Sequence, residues 1–423
     1  MLLYELGVKS NIMKSKNVLI VVIICMSLVF TAGCDVISGI FGGDKTDPDT
    51  SDQTPVASSE GEEESTAVEP KTIGIYADTA DSYYSIINDT LSELAYQDPE
   101  CDWTFYYKTG QGTADEQLKA VEDFIAADYD AVIVAQNNPN TTSACIEKCV
   151  TAGIPYFGAA YHFGGIANSG DSAGSVSYDY ELSGLHAGQD ALANGVSKAI
   201  IVEGILGMGP SIDRTEGFLR AYEEAGKSFG EKADGSKWTA EEVAIAKPSA
   251  SDIKGDADIV VVSWKSGAWS EEKTNEVMIE AIELLGKDGW DGAYIQTNTM
   301  AKGAISVMEQ QKLSVENYWI GSMNGSEESW AWAKDGLISF DENQPPGMEG
   351  ALLYQMVKEY FKAGSVSRKH VHPYLTSYTK ENIDSLSSSL IPFSDVDAFV
   401  AGVNAGNFTW KIDDPKFQEI MGY

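Results

Sequence analysis

Apolar and polar positions alternate along the chain after residue 71 in a pattern that predicts strands and helices in turn. Residues 72–77 form a short apolar run, and 85–96 have the spacing of an amphipathic helix. Segment 131–135 (Ala-Val-Ile-Val-Ala) is apolar throughout, as expected for a strand buried on both faces. The remaining elements of this half are predicted over 103–107 and 155–160 (strands) and 114–127 and 141–152 (helices). Strict alternation of this kind predicts a parallel, doubly wound sheet with right-handed crossovers.

The alternation restarts after residue 180, which predicts a second unit of the same kind. Its strands are predicted over 198–203, 242–245, 259–263, 292–296 and 318–322, and its helices over 181–193, 211–225, 271–285 and 300–311. Two similar runs of strand–helix units indicate two lobes with a cleft between them. The predicted fold class is therefore α/β, with two doubly wound parallel-sheet lobes.

Residues 1–33 have the pattern of a secretory signal peptide. Lys14 and Lys16 precede an apolar run, 18–30, that is shorter than the ~20 residues a membrane-spanning helix needs. The run closes on Thr31-Ala32-Gly33-Cys34, which resembles the lipobox of bacterial lipoproteins, with Thr31 in place of the usual Leu. That resemblance implies cleavage before Cys34 and a lipid on its thiol, anchored in the outer face of the bacterial cell membrane. The alternative is an ordinary signal peptide that ends in Cys.

Composition distinguishes residues 34–70 from the folded part of the chain, and the net charge argues against nucleic acid as a partner. Residues 34–70 are rich in Asp, Glu, Ser, Thr, Gly and Pro, and predict a disordered acidic tether because they cannot bury enough apolar surface to offset the entropy of ordering. The chain of 423 residues has a net charge of −35, which argues against nucleic acid as a partner. Cys101, Cys145 and Cys149 are interpreted as buried small apolar residues rather than metal ligands.

Ligand-binding residues are expected in the loops after the carboxyl ends of the strands, because these loops meet along the crevice of an open parallel sheet. In chain order they contain Asp81, Tyr83, Tyr84, Tyr161, the glycine-rich 204–209, Arg214, Thr297, Asn298 and Asn324. Aromatic faces beside Asp, Asn and Arg suit a polyol, since rings cover C–H faces and forked polar groups bind hydroxyl groups. The alternative is that the tyrosines only fill the core.

Several segments in the right order carry a resemblance to a known family. They are 112–117 (Gly-Thr-Ala-Asp-Glu-Gln), 131–134, 152–155 (Ala-Gly-Ile-Pro), 214–218 (Arg-Thr-Glu-Gly-Phe), 300–304 (Met-Ala-Lys-Gly-Ala) and 378–384 (Tyr-Thr-Lys-Glu-Asn-Ile-Asp). With them, the stretch from about 71 to 384 resembles the periplasmic sugar-binding proteins of the ribose/galactose type, the substrate-binding components of ABC importers.

The resemblance implies a type I binding-protein fold whose lobes are joined by a hinge. One lobe would comprise 71–178 plus about 345–373, and the other 179–344 plus about 374–423, with crossings near Asp179, Gln344 and Tyr374. It also implies a monomer that uses no metal or other cofactor, closes on a small ligand and then docks on an ABC permease.

Position by position, the resemblance implies ligand contacts for particular side chains. Tyr83 and Tyr84 match paired aromatics that cover a sugar ring, and Trp269 matches the aromatic on the opposite face. Arg214 matches the guanidinium that donates to ring hydroxyls. The other hydroxyl-binding positions are matched by Thr297 or Asn298, Asn324 and Gln344.

The chain departs from the family pattern at two places. Ala160-Tyr161 stands where Asp-Arg is common, and Asp179-Tyr180 where Asp-Asn is common. Loss of that carboxylate–guanidinium pair predicts a more aromatic and less charged site, so a modified sugar, a polyol or a nucleoside stays open beside a pentose or hexose.

Other signals are weaker. Residues 170–174 (Gly-Asp-Ser-Ala-Gly) have the spacing of a hydrolase nucleophile, but that chemistry needs Ser172 on a turn from strand to helix, and the flanking residues indicate loop and extended chain. His370 and His372 would face the same way on a strand, without a third metal ligand in view. We therefore expect a binding protein and not an enzyme. A protein that presents its closed form to a chemoreceptor or histidine kinase is the alternative to a transporter component.

Overall fold

The computed structural model describes residues 68–77, 82–111, 113–135, 139–161, 166–314, 316–386, 390, 392–393 and 395–404. The predicted signal peptide, Cys34, Asp81 and most of the tether lie outside these residues. Among the described residues, none of the helices combines the length and the apolar character needed to cross a bilayer.

The first sheet contains six parallel strands. They are β1 (Lys71–Ala77), β2 (Trp103–Thr109), β3 (Ala131–Ala135), β4 (Tyr156–Ala159), β5 (Gly174–Val176) and β11 (His370–Val371). Their order across the sheet is β11-β5-β4-β3-β1-β2. All five residues of β3 are buried, because helices cover both faces of the sheet.

Two pairs of helices cover the first sheet: α1 (Ser82–Gln97) with α10 (Pro346–Ala363), and α2 (Ala114–Ala126) with α3 (Pro139–Ala152). Helix α2 begins where the Thr113 hydroxyl accepts a hydrogen bond from the Glu116 amide at 3.3 Å, a standard N-cap. Cys145 and Cys149 are buried as free thiols in the core between α2 and α3, which confirms their interpretation as apolar residues; Cys101 is partly buried.

The second sheet contains four parallel strands in the order β7-β6-β8-β9. They are β6 (Lys198–Glu203), β7 (Val260–Ser266), β8 (Gly292–Ile295) and β9 (Trp319–Gly321). The helices are α4 (Tyr180–Ala193), α5 (Gly209–Glu224), α6 (Ala240–Ala246), α7 (Glu271–Leu285), α8 (Asn298–Gln311) and α9 (Glu327–Asp335). The predicted fold class of two parallel α/β lobes is confirmed.

The strand predicted over 242–245 is wrong, because this segment lies in helix α6. The helix is fixed by a capping box: the Thr239 hydroxyl accepts from the Glu242 amide at 3.2 Å, and the Glu242 carboxylate accepts from the Thr239 amide at 3.1 Å. Val243 and Ala244 are buried on one face of that short helix. Local hydrogen bonds therefore decide the structure of a segment whose apolar pattern is too short to distinguish helix from strand.

Helices α4 and α5 approach each other through glycines. A Cβ atom built on Gly184 of α4 would overlap the Arg214 carbonyl, and one built on Gly217 of α5 would overlap the Glu181 carbonyl. Glycine at these positions lets the two backbones meet. This contact places Tyr180, the first residue of α4, beside Arg214 on α5.

A small third sheet lies where the chain passes between the lobes. Strand β10 (Asp341–Asn343) pairs antiparallel with β12 (Thr376–Tyr378). The segments that connect elements of the two sheets are 177–179, 344–345 and 372–375, and we refer to them as the three crossings.

Two helices follow the last strand: α11 (Ile383–Leu386) and α12 (Val396–Asn404). Helix α12 packs against α1, where Phe399 and Val400 share a core with Leu94 and Met348. The end of the described chain thus attaches beside the first sheet, although the sequence assigned 374–423 to the second lobe.

Candidate functional site

Arg214 is the centre of a buried polar cluster at the carboxyl end of the second sheet. Its side chain is 3% exposed. Nη1 donates to the Gln296 carbonyl at 2.9 Å, and Nη2 donates to Asn324 Oδ1 at 3.0 Å and to Gln344 Oε1 at 2.8 Å. All three acceptors are neutral, and Nε has no partner among the described residues. The structure therefore brings Arg214, Asn324 and Gln344 together, and their contacts with a ligand stay a prediction.

The ring of Tyr180 lies against the Arg214 guanidinium, with 4.7 Å between the guanidinium carbon and the ring centroid. The Tyr180 hydroxyl donates to the Ala160 carbonyl, which follows β4 of the first sheet, at 3.0 Å. Asp179 fixes this position because its carboxylate accepts from the Leu182 amide at 2.8 Å and caps α4. Tyr180 thus joins the first sheet to the arginine of the second.

Tyr161 also links the two sheets. Ala160 has a φ of 54°, in the left-handed region, and this turn directs the chain out of β4. A Cβ atom built on Gly209, the first residue of α5, would lie 2.8 Å from the Tyr161 ring. Burial, with the nearby charge of Asp213, raises the pKa of Tyr161 to about 12, so its hydroxyl stays protonated at physiological pH.

Tyr83 and Tyr84 lie together at the start of α1. Their ring centroids are 5.9 Å apart at an interplanar angle of 76°, an edge-to-face contact. Tyr83 also contacts the Phe393 ring, at 6.0 Å, and its hydroxyl donates to Glu349 Oε2 at 2.7 Å. These contacts fix the Tyr83 ring by packing and by a hydrogen bond.

Trp269 follows β7 in a strained loop. Ala268 and Trp269 have φ values of 51° and 55°, which are uncommon outside glycine. The indole lies over Gly204, the residue after β6, where any Cβ atom would overlap it. Glycine at 204 therefore lets the ring lie on the carboxyl edge of the second sheet.

Thr297 and Asn298 are engaged in the fold itself. The Thr297 hydroxyl caps α8 by accepting from the Met300 amide. The Asn298 amide nitrogen donates to Ser322 Oγ at 2.9 Å and Asp341 Oδ2 at 2.6 Å, while its oxygen accepts from the Ser326 amide. Their ligand contacts stay a prediction, and Asn298 would have to exchange internal hydrogen bonds to make one.

Two buried residues of the site, Gln296 and Glu349, were not among the ligand contacts that the sequence predicts. Gln296 donates to the Ser211 carbonyl at 2.8 Å and Thr215 Oγ1 at 2.9 Å, and so holds α5 against β8. The position of Gln296 directly after strand β8 was the sequence feature that could have indicated a role in the site. Glu349 lies in the first turn of α10, where a carboxylate normally indicates only a favourable interaction with the helix dipole, so the sequence gives no sign of its burial.

The hydrolase and metal patterns do not form sites among the described residues. The Ser172 hydroxyl is buried and donates to the Ser169 carbonyl at 2.7 Å, after a 3₁₀ turn (Ser169–Asp171) and not between a strand and a helix. His370 is hydrogen-bonded to Ser175 at 2.6 Å. No group of three metal-ligating side chains occurs in this part of the chain.

The geometry defines a class of protein: two parallel α/β lobes, joined by three crossings, with aromatic and polar side chains at the facing strand ends. The chain belongs to the periplasmic binding protein domain family, whose model matches residues 73–365. Membership implies an extracytoplasmic location. The predicted resemblance is thereby confirmed at the level of the family. No curated protein matches the sequence significantly.

Solved structures share the fold at low sequence identity. A galactofuranose-binding protein is 20% identical, with a TM-score of 0.60 over 75% of this chain and 97% of that one. A solute-binding protein of an ABC transporter from Bacillus halodurans C-125, with bound myo-inositol, has the same identity and TM-score over 76% and 98%. The arabinose-binding component from Shewanella sp. ANA-3 is 17% identical, with a TM-score of 0.58 over 81% and 100%.

Proposed function

We propose that this chain is the substrate-binding lipoprotein of an ABC importer and that it binds a sugar or a sugar-like polyol between its lobes. The observation that carries the proposal is the buried Arg214 cluster, which is built by the second lobe and contacted by Tyr180, the residue that follows the first crossing. A ligand held there touches both lobes. Closure follows because such a ligand has a higher affinity for the state in which both sets of contacts exist.

The chemistry of the cluster favours hydroxyl groups over charged groups. Arg214 makes no ion pair with a carboxylate within 4.0 Å among the described residues, and its hydrogen-bond partners are a carbonyl and two side-chain amides. Amides and a guanidinium together offer the donors and acceptors that vicinal hydroxyls need. Tyr83, Tyr84, Tyr161 and Trp269 supply ring faces for the C–H surface of the same ligand.

The related structures support the same ligand class. These proteins bind galactofuranose, myo-inositol and arabinofuranose, which are all neutral polyhydroxylated rings. Because these ligands include five-membered and carbocyclic rings, the ligand screen should contain furanose-forming sugars and inositols as well as ordinary hexoses. We further propose that the chain works as a monomer and delivers its ligand to a permease, without catalysis.

A thermal-shift screen of the purified full-length chain tests the ligand. We expect one group of hexoses, pentoses that form furanoses, or inositols to raise the melting temperature, because a ligand present at 100 times its Kd stabilises the folded state by about 2.7 kcal/mol. Nucleosides and amino acids serve as controls. A folded sample that no polyol stabilises would contradict the proposal.

The proposed lipid anchor rests on Cys34, and a single substitution tests it. Cys34→Ser removes the thiol that would carry the lipid, so we expect the variant to lose incorporation of labelled palmitate and to leave the membrane fraction. Cys25→Ser, inside the predicted signal peptide, is the matched control and should keep the label. Equal labelling of wild type and Cys34→Ser would exclude the anchor at this position.

A further inference from the structure

Glu349 is a fully buried carboxyl group beside the candidate ligand cleft. It lies in the first turn of α10 with 0% exposure. Oε2 accepts from the Tyr83 hydroxyl at 2.7 Å, and Oε1 accepts from the Tyr178 amide at 3.1 Å. Among the described residues it forms no ion pair with a Lys, Arg or His side chain. A buried carboxylate without such a pair is costly, so the protonated form is favoured.

The same carboxyl group connects Tyr83 to two of the three crossings between the lobes. Tyr178 belongs to the first crossing, and its hydroxyl donates at 2.9 Å to the carbonyl of Pro345 in the second. The Tyr83 hydroxyl also interacts with that of Tyr180, the residue that contacts the Arg214 guanidinium. A change at Glu349 is thereby transmitted to a predicted ligand-binding ring and to the hinge.

We propose that Glu349 is a positioning residue that holds Tyr83 in the ligand cleft and couples ligand-induced closure to the protonation of its own carboxyl group. The proposal deepens the proposed function and rests on it for its ligand.

The protonated form completes a chain of hydrogen bonds in one direction. A neutral Glu349 would reverse its hydrogen bond with Tyr83 and donate to the Tyr83 oxygen, which frees the Tyr83 hydroxyl to donate to the Tyr180 oxygen. Tyr180 in turn donates to the Ala160 carbonyl at 3.0 Å. An ionised Glu349 can only accept, so the Tyr83 hydroxyl donates to it and can no longer donate to the Tyr180 oxygen. The orientation of the Tyr83 hydroxyl therefore depends on the charge of Glu349.

The titratable and charged groups that face Glu349 show that Glu349 is the residue of this group that titrates near neutral pH. They are Tyr83 from α1, Tyr178 from the first crossing, Tyr180 from α4 and Arg214 from α5. Burial holds the pKa of each of the three tyrosines well above its usual range. Burial raises the pKa of Glu349 to about 8, with Arg214 and the Tyr83 hydroxyl opposing the rise. Asp341, whose pKa is raised by burial to about 6, belongs to a separate cluster with Asn298 and Tyr378.

The sign of the coupling follows from solvation. Opening of the lobes would admit water to Glu349 and would also move Arg214 away from it. Of these two opposing effects, burial has the larger influence on the Glu349 pKa, so this pKa is lower in the open form than in the closed form. The contribution of Glu349 to binding is then fully present below the open-form pKa and is lost as pH rises through about 8.

Isothermal titration of the full-length chain with its best polyol from the screen, between pH 6 and pH 9, tests the proposal. We expect the wild-type Kd to rise with pH by up to about tenfold per unit, since one proton is linked to binding. Glu349→Ala should bind weakly at every pH. Glu349→Gln should restore much of the binding and remove the rise above pH 7. A Glu349→Gln profile parallel to that of the wild type, or one as weak as Glu349→Ala, would overturn the coupling.

A second measurement needs no ligand and separates failure of this proposal from failure of the proposed function. The folded-state pKa of Glu349 lies above that of an unfolded Glu, so its contribution to stability is lost as pH rises through about 8. We expect the melting temperature of the wild type to fall relative to Glu349→Gln between pH 7 and pH 9. A constant difference would show that Glu349 does not titrate in this range, whatever ligand the protein binds.

Discussion

Replacement of Arg214 by Ala is expected to weaken ligand binding by about 100-fold or more. The guanidinium holds three carbonyl or amide oxygens and lies on the Tyr180 ring, so its removal leaves buried acceptors without donors and a stacked ring without its cation. Hydrogen bonds to charged groups contribute about 1.5–3 kcal/mol each, and two of them suffice for a loss of this size. Isothermal titration with the ligand from the screen measures the effect.

Arg220 supplies the control for Arg214. It lies on the same helix, but its partners are the carboxylates of Glu181 and Glu224, which do not belong to the Arg214 cluster. Arg220→Ala should change the Kd less than about threefold, because Arg220 contacts none of the groups that Arg214 holds and ion pairs that keep contact with water contribute about 0–1 kcal/mol. If both variants lose binding equally while remaining folded by circular dichroism, Arg214 has no special role in the site.

The largest loss of stability is expected from a side chain at the contact between α4 and α5. In Gly217→Val the new side chain would overlap the Glu181 carbonyl and approach the Leu185 amide, and backbone atoms cannot move aside as flexible side chains do. Overpacking of a tight core costs about 1–3 kcal/mol even without a backbone overlap. We expect a loss above about 3 kcal/mol in urea unfolding, together with weaker binding, because separated helices no longer hold Tyr180 against Arg214.

Gly170→Val is the matched control for the volume of the side chain. No heavy atom lies within 4 Å of a Cβ atom built on Gly170, and this glycine does not have a left-handed backbone. Its unfolding midpoint should stay close to that of the wild type, since surface substitutions usually change stability by less than about 0.5 kcal/mol. Equal midpoints for Gly217→Val and Gly170→Val would show that the two helices can separate without cost.

Most of the fold could be predicted because its signals are local and long. The run 131–135 is fully buried in β3 as its composition requires, and the helix predicted over 271–285 has those bounds in the structure. The error at 242–245 arose because a segment of four residues is too short to distinguish the periodicity of a helix from that of a strand. There the Thr239 capping box decided in favour of a helix.

The site could be predicted only where position along a strand was informative. Arg214, Asn324 and Gln344 meet because strand ends and crossings place them together, which the family pattern also implied. The burial of Glu349 could not be predicted, since it depends on Tyr83 and Tyr178, which are distant in sequence and enclose it only after both crossings form. Nor could the sequence show that the Asn298 side-chain amide would donate a hydrogen bond to Asp341.

The late position of β11 has a consequence for biogenesis. His370 joins Ser175 across 195 positions of the chain, and β11 covers the edge of β5 that β4 does not pair with. Until residue 371 has been synthesised, β5 remains an edge strand with unpaired backbone groups, and contacts of such long sequence separation form slowly. An exported polypeptide of this design stays incompletely folded while it is threaded across the membrane, and its first lobe is finished only after most of the second has emerged.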